Sequence, residues 1–387
     1  MADSVLLSGD TIEDSTSEGH GGERLATFDV MKGLLIVGIV IVHLLMLNSV
    51  RDTGRSFPAL IQPLYLVLMS FFIISGFFYK PERSFKENVK RRVIPLLLVV
   101  VACGAVLPVI MYIWMAVVGQ PVGAEDLIDS IRLGLRTVNW FGPADSTLPT
   151  PICYVGYVNY FLFAMCWAMI VFYAVARFAL SDKKKFLITI AVLLGVQMAL
   201  TALYLELPFS SEYTPIAAAL MLFGAYLNKT GLVDRLERFE WRSMKFWFPL
   251  IVCFVAVELM ALVLPPGVKF SFLSFGDYGA LSVIPYFIES ILVFIVYIYV
   301  CLLVSKIPVV SDVSCLEGRH TLGLAMLHVL IAKMILSLFY TFTSEYVFPT
   351  EVGTTELLIV AVIDLAIVTA ICILGNVLVK KIKERTG

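Results

Sequence analysis

Ten runs of mostly apolar residues, each about 20 long, divide this sequence, and that length matches the thickness of a bilayer's hydrocarbon core. They cover residues 26–48, 58–79, 94–118, 157–179, 186–206, 214–228, 246–264, 283–304, 321–341 and 355–379. Backbone in hydrocarbon must satisfy its own hydrogen bonds, so each run is expected to form a transmembrane helix. Hydrophobic residues make up 59% and charged residues 15% of the 387. Soluble domains hold about 45–50% and about 25%. The expected fold class is therefore all-α, a polytopic membrane protein with ten transmembrane helices. The formal net charge of −1 supplies no bulk attraction for nucleic acid.

Lysine and arginine set the orientation, because they collect on the cytoplasmic side. Alternate connections hold 22 of the 29 basic residues, the opposite connections five, and Lys32 and Lys333 lie within the runs. Loops 80–92, 180–185 and 229–245 and the C-terminal tail belong to the rich side. Both termini are thus expected in the cytoplasm, with the chain multi-pass in the cell's plasma membrane. Residues 1–24 are expected to be a disordered acidic cytoplasmic tail, since 1–23 hold six acids and no Lys or Arg. Residues 25–387 then form one ten-helix domain, with 119–156 as its external loop. Within that loop the spacing of Leu127, Ile131 and Leu135 suits a short amphipathic helix. The seven cysteines are scattered and form no C-x-x-C pair, so no disulfide framework and no metal site are expected. No internal repeat of the kind many transporters carry is visible.

Ionisable residues inside the runs are costly and default to functional candidates. They are Asp29, Lys32, His43, Glu258, Glu289, His328, Lys333 and Asp364. Eleven residues separate Lys32 from His43, which brings the two within about 20° on a helix and about 16 Å apart along its axis. Asp29 lies on the same face, within about 60°. That stripe must look into the bundle or a wet cavity, and the opposite face is expected to meet lipid. Lys333 needs a carboxylate partner, which Glu258, Glu289 or Asp364 could supply.

The stretch "RLATFDVMKGLLIVGIVIVHLL" resembles the opening signature of the acyltransferase-3 family of integral-membrane O-acyltransferases. Lys32, Gly33 and His43 carry its spacing. "LYLVLMSFFIISGFFYKP" is similar to the family's Phe-rich Ser-Gly-Phe segment, and "FKENVKRRVIP" to the basic loop that follows. Asn88 stands where the family often has the first of two Arg. "EGRHTLGLAMLHVLI" is similar to a late helix that carries a His at the position of His328.

The resemblance implies transfer of an acyl group, usually acetyl, from cytoplasmic acyl-CoA to a hydroxyl of a cell-surface glycan or lipid-linked sugar. His43 would be the general base, a task neutral imidazole suits near pH 7. Asp29 and Lys32 would orient the first helix or the donor, and His328 is a second catalytic candidate. Lys90, Arg91 and Arg92 would meet the phosphates of the donor. The partners implied are acyl-CoA, a sugar acceptor and the bilayer. The alternative is a secondary transporter or flippase that uses the buried Lys, Glu, Asp and His as a coupling site.

Overall fold

The computed structural model describes residues 21–47, 67–119, 122–135, 160–205, 207–231, 243–263, 279–339 and 354–386. These residues are all-helical, with no strand among them. The helices are α1 (Gly21–Leu47), α2 (Val67–Phe77), α3 (Phe85–Val117), α4 (Ala124–Gly134), α5 (Tyr160–Ala179) and α6 (Lys183–Ala202). After them come α7 (Thr214–Thr230), α8 (Met244–Val263), α9 (Val283–Val304), α10 (Pro308–Arg319), α11 (Thr321–Phe339) and α12 (Thr354–Thr386). A helix therefore lies in each of the ten apolar runs. Among the described residues six stretches are long and apolar enough to cross a membrane: Phe85–Val117, Tyr160–Ala179, Lys183–Ala202, Ala280–Val304, Thr321–Leu338 and Leu358–Val379.

Local chemistry sets the helix ends. Asp182 caps α6 by accepting from the Lys184 and Lys185 amides. Proline occupies the first turn of α7 and of α10, where its missing N–H costs nothing. Gly231 ends α7 with φ 61°, a left-handed position that favours glycine. In α3 a π-turn spans Val89–Val93, and the Ile94 amide reaches back to the Val89 carbonyl. Pro95, next in line, has no amide to offer the usual ladder.

Two close crossings hold the bundle together. In α2 and α7, Gly76 lies against the Met221 backbone and Gly224 against the Ile73 carbonyl. In α1 and α10, Gly33 lies against the Ser314 carbonyl and Gly318 against the Asp29 carbonyl. Glycine is required at these points because a Cβ would overlap the facing backbone. Helix α7 is buried nearly all round, from Thr214 to Leu227, and packs on α2, α5 and α6. Its burial explains how a run as short as 214–228 fits the bundle.

The structure corrects the sequence at three points. Helix α1 starts at Gly21, so the last four residues of the expected 1–24 tail are helical. Glu23, Arg24, Leu25 and Ala26 are good helix formers; residues 1–20 lie outside the described residues. The α1 face opposite Lys32 does not lie open to lipid: Leu34, Val37 and Ile41 are half-buried, and Val30 is fully buried. Packing of α9, α10, α11 and α12 around α1 is the cause. Helix α10 lies where only a connection was expected. Helix α4 forms within 119–156, as the spacing of Leu127 and Ile131 predicts, and meets α3 through small residues: Ser130 is buried and Gly134 faces the Gly104 carbonyl. Residues 136–159, with Trp140 and Phe141, are outside the described residues. The cysteines Cys103, Cys166, Cys253, Cys301, Cys315 and Cys372 are free thiols.

Candidate active site

One stripe of α1 lines a cavity of 280 Å³ with Lys32, Ile36, Ile39 and His43. The steps of four, three and four keep all four on one helical face. Helix α11 faces them with Thr321, Leu322, Ala325 and His328. Phe71, Ile74 and Ser75 of α2, Leu96 of α3, and Tyr160, Met165 and Met169 of α5 complete much of the wall. Most of the lining is apolar. Lys32 and the two imidazoles are its ionisable groups apart from the Tyr160 phenol.

The two histidines meet directly. His43 Nδ1 lies 2.7 Å from His328 Nε2, with the rings 5.0 Å apart and within 9° of parallel. His328 Nδ1 lies 2.7 Å from the Leu324 carbonyl one turn back. That carbonyl can only accept, so Nδ1 of His328 carries a proton. In neutral His328 the Nε2 is then an acceptor, and His43 must donate to it from its own Nδ1. Neutral His43 is left with its lone pair on Nε2. A chain of two hydrogen bonds thus fixes the tautomer of His43 and leaves one basic nitrogen for chemistry.

At the other end of the stripe, Lys32 Nζ lies 3.1 Å from Asp29 Oδ1 and 5.6 Å from the centre of the Phe78 ring. Arg319 of α10 approaches Asp29 Oδ2 at 3.8 Å. Asp29 therefore joins two cations and stands behind Lys32, outside the cavity wall. The sequence missed Arg319 because α10 was read as a loop.

The basic run splits. Lys90 and Arg91 are exposed, and Arg91 pairs with Glu87 at 3.2 Å. Arg92 is half-buried and lies near the Tyr173 phenol. It lies one turn from Leu96, and so on the cavity side of α3. Asn88 is buried and donates to the Arg83 and Ser84 carbonyls, which makes it a support for the turn. Glu289, Lys333 and Asp364 are fully buried. Asp364 makes no hydrogen bond through either carboxyl oxygen, which removes it as a hydrogen-bonded partner of Lys333. Among the described residues no three His, Cys, Asp or Glu side chains gather as a metal site would need.

A family model described as an acyltransferase domain, that of the acyltransferase-3 family, matches residues 25–377. No curated protein and no solved structure matches the chain.

Proposed function

The chain belongs to the acyltransferase-3 family, and from that premise we propose that it transfers an acyl group, acetyl in the first instance, from acyl-CoA to a sugar hydroxyl. The observation that carries the proposal is the His43–His328 pair at the wall of an apolar cavity. His43 Nε2 takes the proton of the acceptor hydroxyl as its oxygen attacks the thioester carbonyl. The tetrahedral intermediate collapses, the C–S bond breaks, and the proton passes from His43 to the leaving thiolate. His328 holds the Nδ1–H of His43 and supports the imidazolium that forms between the two steps.

The apolar lining suits an acyl-pantetheine arm, and the rise of about 16 Å from Lys32 to His43 suits its length. Lys32, held by Asp29, marks the end at which the arm enters, and Lys90, Arg91 and Arg92 supply cations for the nucleotide phosphates on that side. The charge distribution of the loops supports ten spans with cytoplasmic termini in the plasma membrane. On that reading the Lys32 end is inside and the His43 end lies toward an outer glycan acceptor. The test is His43→Ala in membranes, with expression and thermal unfolding followed alongside. Acyl transfer is expected to vanish while the fold persists, and full activity in that variant sinks the assignment. A transporter or flippase would move substrate without releasing thiol from acyl-CoA, so thiol release by the purified protein supplied with a sugar acceptor separates the two classes.

A further inference from the structure

Helix α5 runs along the cavity and carries a phenol to its far end. Tyr173 marks the Lys32 end: its ring lies 6.2 Å from that of Tyr79, and Tyr79 follows Phe78, over whose ring Lys32 sits. Tyr160, at the start of α5, stands thirteen residues before Tyr173, about 20 Å along the helix. It lines the cavity and so stands toward the His43 end. Other polar groups of the wall lie farther from that end. Thr321 is seven residues before His328 and donates to the Gly318 carbonyl at 2.7 Å. The Ser75 hydroxyl lies 3.7 Å from Met165 Sδ, more than a turn along α5 from Tyr160. Among the described residues, the polar side chains around the His43 end are thus the two imidazoles and the Tyr160 phenol.

More polar groups gather behind this phenol. Tyr286 and Glu289 of α9 are fully buried. The Tyr286 phenol has Tyr160, Glu289 and Tyr213 close enough to act on it electrostatically. Tyr213 ends a short turn, Pro208–Tyr213, in which Phe209 and Ser210 take φ values of 57° and 56°. Those are left-handed values that cost free energy in residues other than glycine. Ser210 is buried, and the Phe209 ring lies 5.5 Å from that of Phe163 in α5, so packing holds the turn in place. Three phenols and a carboxyl are costly to bring together inside a bundle, and helix packing alone has no need of them.

The reacting hydroxyl has His43 Nε2 as its partner. A sugar brings further hydroxyls, and each one taken into an apolar cavity costs free energy until it is hydrogen-bonded. A phenol can both donate and accept. Its ring, with Phe161 next to it and the Phe71 ring 6.2 Å from that of Phe161, offers apolar faces to the C–H side of a sugar. We propose that Tyr160 binds the acceptor through a hydroxyl next to the one that reacts, and that Tyr286 and Glu289 position its phenol. The acceptor class is then a compound with neighbouring hydroxyls, as in a sugar, and a simple alcohol is a poor substitute. This rests on the reading of the chain as an acyltransferase with a hydroxyl acceptor.

The test uses the full-length protein in nanodiscs of neutral phosphatidylcholine, with thiol release from acetyl-CoA as the readout. The acceptors are octyl glucoside and 1-octanol, which share a tail and differ in the hydroxyls beside the reacting one. Both are kept below the concentration at which octyl glucoside forms micelles. Wild type is expected to favour octyl glucoside in kcat/KM by about tenfold or more. Tyr160→Phe is expected to raise the KM for octyl glucoside about tenfold, with kcat for it and transfer to octanol changed less than about threefold. Tyr286→Phe and Glu289→Gln are expected to narrow the same margin by about threefold, with the KM for acetyl-CoA within about twofold. Tyr297→Phe, a phenol farther along α9, is expected to keep the wild-type margin. Thermal unfolding is followed for each variant; if Glu289→Gln unfolds, Tyr160→Phe and Tyr286→Phe carry the test. A wild-type margin in Tyr160→Phe overturns the assignment. Equal losses on the two acceptors in that variant overturn it in favour of a part in the chemical step. A wild type that uses octanol as well as octyl glucoside overturns the acceptor class. A wild type that releases no thiol with either acceptor overturns the reading of acyl transfer itself, and the inference with it.

Discussion

Replacing His328 tests the tautomer argument at its most exposed point. In the resting pair, the bond from His43 Nδ1 to His328 Nε2 joins neutral groups and is worth about 1 kcal/mol net. Once His43 takes the acceptor's proton on Nε2, the same bond has a cationic donor and is worth about 1.5–3 kcal/mol. The gain of roughly 1–2 kcal/mol belongs to the transition state alone and so appears in kcat. Loss of the partner also leaves the Nδ1–H facing an apolar wall, which adds a penalty of about 1–2 kcal/mol and releases the tautomer. Together these correspond to a fall of about 100-fold. His328→Leu is therefore expected to lose kcat by that factor, with the KM for acetyl-CoA within about twofold, because neither donor end is touched. His328→Gln, whose amide oxygen can accept from Nδ1, is expected to stay within about tenfold of wild type. The assay is thiol release from acetyl-CoA in membranes that carry the acceptor. A kcat within threefold for His328→Leu, or equal losses for Leu and Gln, would refute the reasoning.

Two further outcomes follow from the packing around α10. Gly33→Ala or Gly318→Ala places a Cβ on the Ser314 or Asp29 carbonyl and should cost about 1–3 kcal/mol, read as a fall of several degrees in thermal unfolding in detergent; an unchanged midpoint contradicts the close crossing. Glu317 is buried, which raises its carboxyl above the ordinary 4.5, while the Thr369 hydroxyl bond opposes the rise. A raised value means the folded chain holds the proton more tightly than the unfolded chain. Stability from this group is then full below about pH 4.5 and falls as pH climbs through the raised value. Glu317→Gln should flatten that slope, and a slope equal to wild type tells against it.

The stripe on α1 was legible because a helix has one period. Residues 32 and 43 share a face whatever surrounds them, and the structure places Lys32 and His43 on one cavity wall. The contact between His43 and His328 was not legible. It depends on how α1 and α11 cross, 285 residues apart in sequence, and no local pattern encodes that crossing. Helix α10 was missed because its polar residues hid it beneath the hydropathy of its neighbours. Its signals were Pro308 at the first turn and the pair of small residues, Ser314 and Gly318, four apart. Arg177 was legible only as topology: a basic residue at the end of a span marks the cytoplasmic side, and its bonds to the Pro81 and Arg83 carbonyls needed the third dimension. Arg92 separated from Lys90 and Arg91 because successive residues on a helix point in different directions: Arg92 is half-buried, and the other two are exposed.

The hydrogen-bond chain from His43 through His328 ends on the Leu324 carbonyl. A carbonyl cannot carry a proton onward, and among the described residues no carboxylate lines the cavity to accept one. For the proposed chemistry the pair is a cul-de-sac: a proton taken from the acceptor must leave by the nitrogen through which it entered. The departing thiolate is the base that the reaction itself brings there. Turnover then resets the enzyme only when acceptor and donor are present together. A donor that arrives alone finds a base with nothing to deprotonate, and the thioester is spared from waste by the architecture that prepares it for transfer.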